Sequence, residues 1–130
     1  MPVNNSEQEQ WQKIKQAINL IRLQVKWKPN KAEIHLQKRI AREHLNNSAN
    51  LEDYEKIILS IINNPEATLY IYQYNDLIYP TIASSYKDNL WLVMFSLDGI
   101  METAFPPDNP TNYLSKTPFR YIGLLQDFEL

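Results

Sequence analysis

The sequence predicts an α+β domain in which about three N-terminal helices pack on one face of a four- to five-stranded antiparallel meander sheet. Apolar residues recur at helical spacing only in the first half of the chain, and after Pro65 the period becomes strand-like. Strong turn dipeptides then separate the apolar runs. With 130 residues the chain suffices for one core, so residues 1–130 are read as one domain, helical over 1–64 and sheet-forming over 65–130.

Each element has a local cause. Ser6 followed by Glu9 makes a capping box, and Trp11, Ile14, Ile18, Ile21 and Val25 then alternate at spacings of three and four, which predicts an amphipathic helix over 7–26. That stripe suits packing on a sheet, or the seam of a homodimer. Pro29 stops the helix, and Asn30 with Glu33 offers a capping box for a second one through about residue 45. After the polar loop 46–50, Leu51, Tyr54, Ile57, Ile58, Ile61 and Ile62 predict a third helix over 51–63, ended by Asn63-Asn64-Pro65.

Residues 69–74 are rich in side chains that suit a pleated surface. Asn75-Asp76 turns the chain into a strand over 77–79, and residues 84–88 turn it again into the apolar run 90–95. Asp98-Gly99 is the strongest turn signal and joins that run to 100–105 as a tight hairpin. The proline-rich stretch 106–110 forbids continuation, and a last strand is expected at about 119–124.

Composition excludes several function classes. Without Cys there is no disulfide framework, thiolate metal site or cysteine nucleophile, and the two glycines, Gly99 and Gly123, cannot form a phosphate-cradling loop. No cofactor is expected. The longest apolar run is about six residues, against the roughly 20 that cross a bilayer, so no membrane partner is expected. The start, Met1-Pro2-Val3-Asn4-Asn5, lacks the pattern of a secretory signal and points to the cytoplasm. Net charge is −2, yet residues 1–45 carry +5 and residues 46–130 carry −7. A basic helical segment attracts phosphate; equally, opposite faces of one domain can attract each other.

Few polar residues remain as candidates for chemistry. His44 falls inside the apolar arc of the second predicted helix, facing inward or toward a cleft, whereas His35 points to the wet basic side shared by Arg39 and Arg42. Their spacing does not suit a shared metal, and no metal site is expected. Alternation puts Met101, Thr103 and Phe105 on one strand face, so the Thr103 hydroxyl sits among apolar neighbours and needs a partner or ligand. Glu52, Asp53 and Glu55 occupy the first turn of the third helix, where they complement its dipole. Tyr70, Tyr72, Tyr74 and Tyr79 either reflect strand propensity or offer rings on which bases stack.

Arg42-Glu43-His44-Leu45 at the end of a helix and Thr103-Ala104-Phe105-Pro106 on a later strand resemble the metal-independent ribonucleases of the barnase, EndoU, colicin-D and RelE-like superfamily, including RNase A-like toxin domains. The resemblance implies cleavage of RNA by attack of the 2′-hydroxyl, with His44, Thr103 and Arg42 catalytic. It implies RNA contacts from Arg39, Lys38, Arg120, Lys116 and Tyr113, and RNA and a cognate inhibitor protein as partners. The sequence departs from the family pattern at Phe105, where an aromatic hydroxyl is often found. A pI of about 5.7 is low for a toxin. The rival reading is a non-catalytic module of the same fold that binds RNA or protein.

Overall fold

A computed structural model describes residues 5–129, with side chains from residue 7 onward. The chain runs α1 (Asn5–Leu23), β1 (Lys26–Trp27), α2 (Ala32–Ala41), α3 (Leu51–Ile62), β2 (Thr68–Tyr74), β3 (Leu77–Tyr86), β4 (Asn89–Phe95), β5 (Ile100–Phe105), α4 (Pro110–Leu114), β6 (Phe119–Leu124) and α5 (Leu125–Phe128). The α+β class holds, with a larger and more mixed sheet than the meander expected. Its strand order is β1-β5-β4-β3-β2-β6. Strand β1 runs parallel to β5, and β6 leaves the meander to pair antiparallel with β2. Among the described residues no helix is long and apolar enough to cross a membrane.

The core lies between the helices and one sheet face. Ile14, Ile18 and Ile21 of α1 and Tyr54, Ile57, Ile58, Ile61 and Ile62 of α3 meet Leu69, Ile82, Trp91, Val93 and Phe95 of the strands. Burying each such side chain stabilises the fold by about 1.5–3 kcal/mol. The stripe from Trp11 to Val25 is therefore spent on the sheet. The side chains that would form the Ser6–Glu9 box are not both among those described; α1 itself is already helical at Asn5.

Several boundaries differ from expectation for tertiary reasons. Helix α1 ends at Leu23, and the chain extends into β1, where the Trp27 indole donates to Glu55 at 2.9 Å and Lys28 pairs with Glu102 at 3.4 Å. Asn30 does not cap α2: its φ is 65°, and Lys31 holds the N-cap position without a side-chain hydrogen bond. Strand β3 continues past Pro80 to Tyr86, since the β3–β4 ladder begins only at Thr81, so the missing proline N–H loses no rung on that side. Lys87 and Asp88, at φ 46° and 70°, make the two-residue turn that follows. Gly99 fills a turn that only glycine fits, with φ 75° and an imagined Cβ 2.7 Å from the Leu20 Cβ.

Strand β5 contains a bulge that resets its faces. Met94 pairs with Thr103 but Phe95 pairs with Met101, which leaves Glu102 as the extra residue. Met101 and Ala104 consequently both join the helix-side core. Met101 thus does not share a face with Thr103 and Phe105 as simple alternation predicts. The opposite face is aromatic: Tyr72 lies 4.9 Å from Phe119, Tyr70 5.3 Å from Tyr121, and Tyr113 of α4 packs 5.5 Å from Phe119 and 5.4 Å from Phe105.

Candidate active site

The site grows from the end of α2. The helix stops at Ala41 because Glu43 takes a left-handed φ of 61°, so His44 stands just beyond the helix rather than on it. Glu43 N–H donates to the Ile40 carbonyl at 2.9 Å and His44 N–H to the Arg39 carbonyl at 2.8 Å, the two bonds of a Schellman motif. Glycine is the usual residue at such a position. Glu43 holds it at a cost of about 1–3 kcal/mol, strain of the kind that gathers at functional sites.

Arg39 holds His44 a second time, through its side chain. Its Nη1 lies 3.1 Å from the His44 Nδ1. A guanidinium has no acceptor, so this contact makes Nδ1 the lone-pair nitrogen and leaves the ring proton on Nε2. Arg39 is only 4% exposed, and its Nε finds no hydrogen-bond partner. Its guanidinium sits 5.4 Å over the Phe105 ring. Among the described residues no carboxylate forms an ion pair with it; the ion pairs join Arg22 to Glu129, Lys28 to Glu102 and Lys56 to Glu52. A buried cation without a counter-charge is unfavourable unless an anion completes it.

Both groups sense the burial. Desolvation, then Arg39 and Arg42, hold the His44 imidazole below its usual protonation range, while Asp108 works in the opposite direction. Burial likewise lowers the Arg39 pKa, Tyr54 working against it. The His44 ring lies edge-on to Trp91 at 6.4 Å. Tyr54 donates to the Ala104 carbonyl at 2.5 Å and so ties α3 to the end of β5 beside Phe105.

Arg42, His44, Phe105, Asp108 and Tyr113 line a hollow of about 570 Å³, completed by Pro106 and Pro107. The proline stretch that ends β5 thus serves as its wall. Tyr113 is fixed by its contacts with Phe105 and Phe119, and burial followed by the nearby Tyr72 pushes its phenol pKa up. Lys116 stands 4.9 Å over the Tyr113 ring.

Of the residues singled out in sequence, His44, Arg42 and Tyr113 therefore line one hollow, Arg39 touches its wall through His44 and Phe105 without lining it, and Lys116 stands over Tyr113. Thr103 does not line this hollow; it is half-buried on the aromatic side of the sheet, paired with Met94. Lys38 is exposed on α2. Arg120 lies elsewhere, 5.8 Å over the Trp11 ring of α1 and in register with the core residue Ile71. His35 is not on a wet face: it is half-buried, 5.4 Å from the Trp27 ring, with an unpartnered Nδ1. Burial, then Lys38 and Arg39, depress its protonation.

Asp108 was not foreseen, because a carboxylate inside Pro-Pro-Asp-Asn-Pro has the signature of an ordinary turn. The sequence places Arg39 on a wet helix face, as an RNA contact or an alternative to Arg42 as basic partner of His44, and not in the interior. Its spacing of three from Leu36 and its place beside Ile40 carry the signal that it turns inward. Among the described residues, no three His, Asp or Glu side chains group in a way that would hold a metal ion. Comparison with protein-family models, curated proteins and solved structures returned no match for the chain.

Proposed function

We propose that the protein is an endoribonuclease of the barnase, EndoU, colicin-D and RelE-like kind, cleaving RNA by attack of the ribose 2′-hydroxyl without a metal ion. The observation that carries this reading is the buried Arg39 guanidinium, without a carboxylate partner and bonded to the one histidine that lines a hollow with Arg42 and Tyr113. A phosphodiester supplies the missing anion.

Chemistry follows from that arrangement. Phosphate oxygens attract a guanidinium more strongly than a neutral imidazole nitrogen does, so an arriving phosphodiester draws Arg39 away from Nδ1. The lone pair released on His44 then takes the 2′-hydroxyl proton. The 2′-oxygen bonds to phosphorus, the bond to the 5′-oxygen breaks, and the Tyr113 hydroxyl gives its proton to the departing oxygen. Products are a 2′,3′-cyclic phosphate and a free 5′-hydroxyl. Arg39 and Arg42 stabilise charge on the non-bridging oxygens, and Asp108 favours the imidazolium as it forms. Tyr113 later recovers its proton from His44, which restores both groups. Thr103 has no part in this scheme.

The test is incubation of total RNA with the protein in EDTA, with the new ends identified. Cleavage leaving 2′,3′-cyclic phosphate is expected, with kcat/KM lowered about 10²–10⁴-fold in His44→Ala. Intact RNA, or full activity in His44→Ala, would overturn the proposal. Salt-dependent binding without cleavage would select the non-catalytic module instead.

A further inference from the structure

Arg39 is a buried cation held by groups that do not neutralise it. Its side chain meets the His44 Nδ1 at 3.1 Å, and its charge lies 5.4 Å over the Phe105 ring. An aromatic ring attracts a cation through the negative charge on its face, and the attraction grows when both are shielded from water. A carboxylate in the same place would cancel the charge and take the N–H donors as hydrogen bonds. The ring does neither, so the guanidinium keeps its charge and its free donors, the unpartnered Nε among them.

The chain fixes Phe105 on several sides. On the sheet it pairs with Leu92. The carbonyl just before it, that of the fully buried Ala104, accepts the Tyr54 hydroxyl from α3. Pro106 follows, and a residue before proline is confined to extended conformations. The Tyr113 ring stands against Phe105 at 84° and 5.4 Å. A ring held in this way offers the Arg39 guanidinium one place to rest.

That place lies behind the hollow. Phe105 and His44 line it, and Arg39 touches both of them from the interior. A charge behind an uncharged wall still acts through its field, which is strong across a few ångströms of poorly polarisable protein. We propose that Phe105 is a positioning residue: its ring takes the place of a counter-ion, holding the Arg39 guanidinium behind His44 with its charge intact for an arriving phosphate. That the phosphate belongs to RNA rests on the ribonuclease reading above; the hold on Arg39 does not.

Fluorinated phenylalanines test this role, because each fluorine weakens the attraction of the ring for a cation while its shape and apolar packing barely change. In the full chain Phe105 is replaced by its mono-, di- and trifluoro analogues, inorganic phosphate is titrated in, and the His44 ring is followed by NMR. Phosphate affinity is expected to fall step by step, about ten-fold by the trifluoro ring. The His44 titration should rise in the same order as Arg39 loosens, since burial, Asp108 and Arg42, which also act on that imidazole, stay as they are. Phe105→Leu should show both effects, whereas Phe105→Tyr, which keeps the ring face, should show neither. A side chain that only fills space responds to size and not to fluorine. Phosphate affinity and His44 titration that stay constant across the fluorinated series would overturn the proposal, as would a Phe105→Leu chain that binds phosphate undiminished. The graded response in a chain that leaves RNA intact would remove the ribonuclease and keep the positioning role.

Discussion

Helices α2 and α3 pack side by side against the same sheet, and their buried faces are of opposite kinds. Helix α3 buries Tyr54, Ile57, Ile58, Ile61 and Ile62 and begins with a complete capping box between Asn50 and Asp53. Helix α2 buries only Leu36 and a cation, Arg39; it starts without a side-chain cap and ends on a strained glutamate at Glu43. The first is built for stability. The second gives up apolar burial, capping and backbone ease, and in return it sets a desolvated guanidinium and an imidazole 3.1 Å apart beside an open hollow. Where a helix forgoes stability at each of its features, those features are the place to look for function.

The sharpest way to break this comparison is a matched pair of substitutions, one per helix. Ile61→Ala should cost about 2–5 kcal/mol, because it removes a fully buried side chain and leaves a cavity. Arg39→Met should leave stability unchanged or raise it by about 1 kcal/mol, since an apolar side chain of similar length replaces an unpaired buried charge, while RNA cleavage is lost. Denaturant melts of both variants decide it. If Arg39→Met is as damaging as Ile61→Ala, the guanidinium is a structural element and the contrast between the helices fails.

A smaller effect separates the helix ends. Asn50→Ala should lower stability by about 1 kcal/mol through loss of the α3 cap. Glu43→Gly should do the opposite, raising stability by a comparable amount, because glycine adopts the left-handed conformation freely. Thermal melts measure both, and a destabilised Glu43→Gly would show that the glutamate side chain has a role of its own.

The smallest effect is on pH dependence. His35 and His44 both bind protons less readily in the fold than a free imidazole with its pKa of 6.5. The unfolded chain therefore takes up protons first as pH falls below 6.5, and stability declines through that window down to the folded-state values, being full above it. His44 stays in its base form below pH 6.5, so the acid limb of kcat/KM should have its midpoint under that value. Removing the positive charge in Arg39→Met should move the His44 titration, followed by NMR, upward. A titration that stays in place would detach Arg39 from the imidazole.

Much of the fold was legible because it rests on short-range causes. The isoleucine spacing of α3, the Asp98-Gly99 turn and the run 90–95 each act over a few residues, and the structure keeps all of them. What escaped depends on distant partners. Strand β1 exists because Trp27 finds Glu55 and because β5 offers it an edge. The β5 bulge comes from pairing with β4, and it moves Met101 to the core. The passage of the chain from β5 across the sheet to β6, at the edge beside β2, has no local signal.

The candidate site divides along the same line. With only two histidines and no cysteine, the amino-acid order singled out His44 by its place on an apolar arc, while Arg42, Arg39 and Tyr113, like Thr103 and Arg120, came from the family resemblance. That order also established an α+β domain of helices followed by strands, because periodicity is a local property. Only the tertiary structure decided that Arg39 is buried, that Asp108 joins His44, and that Thr103 and Arg120 stand apart. Burial and proximity are relations between residues far apart in the chain, and they come into being when the sheet closes against its helices.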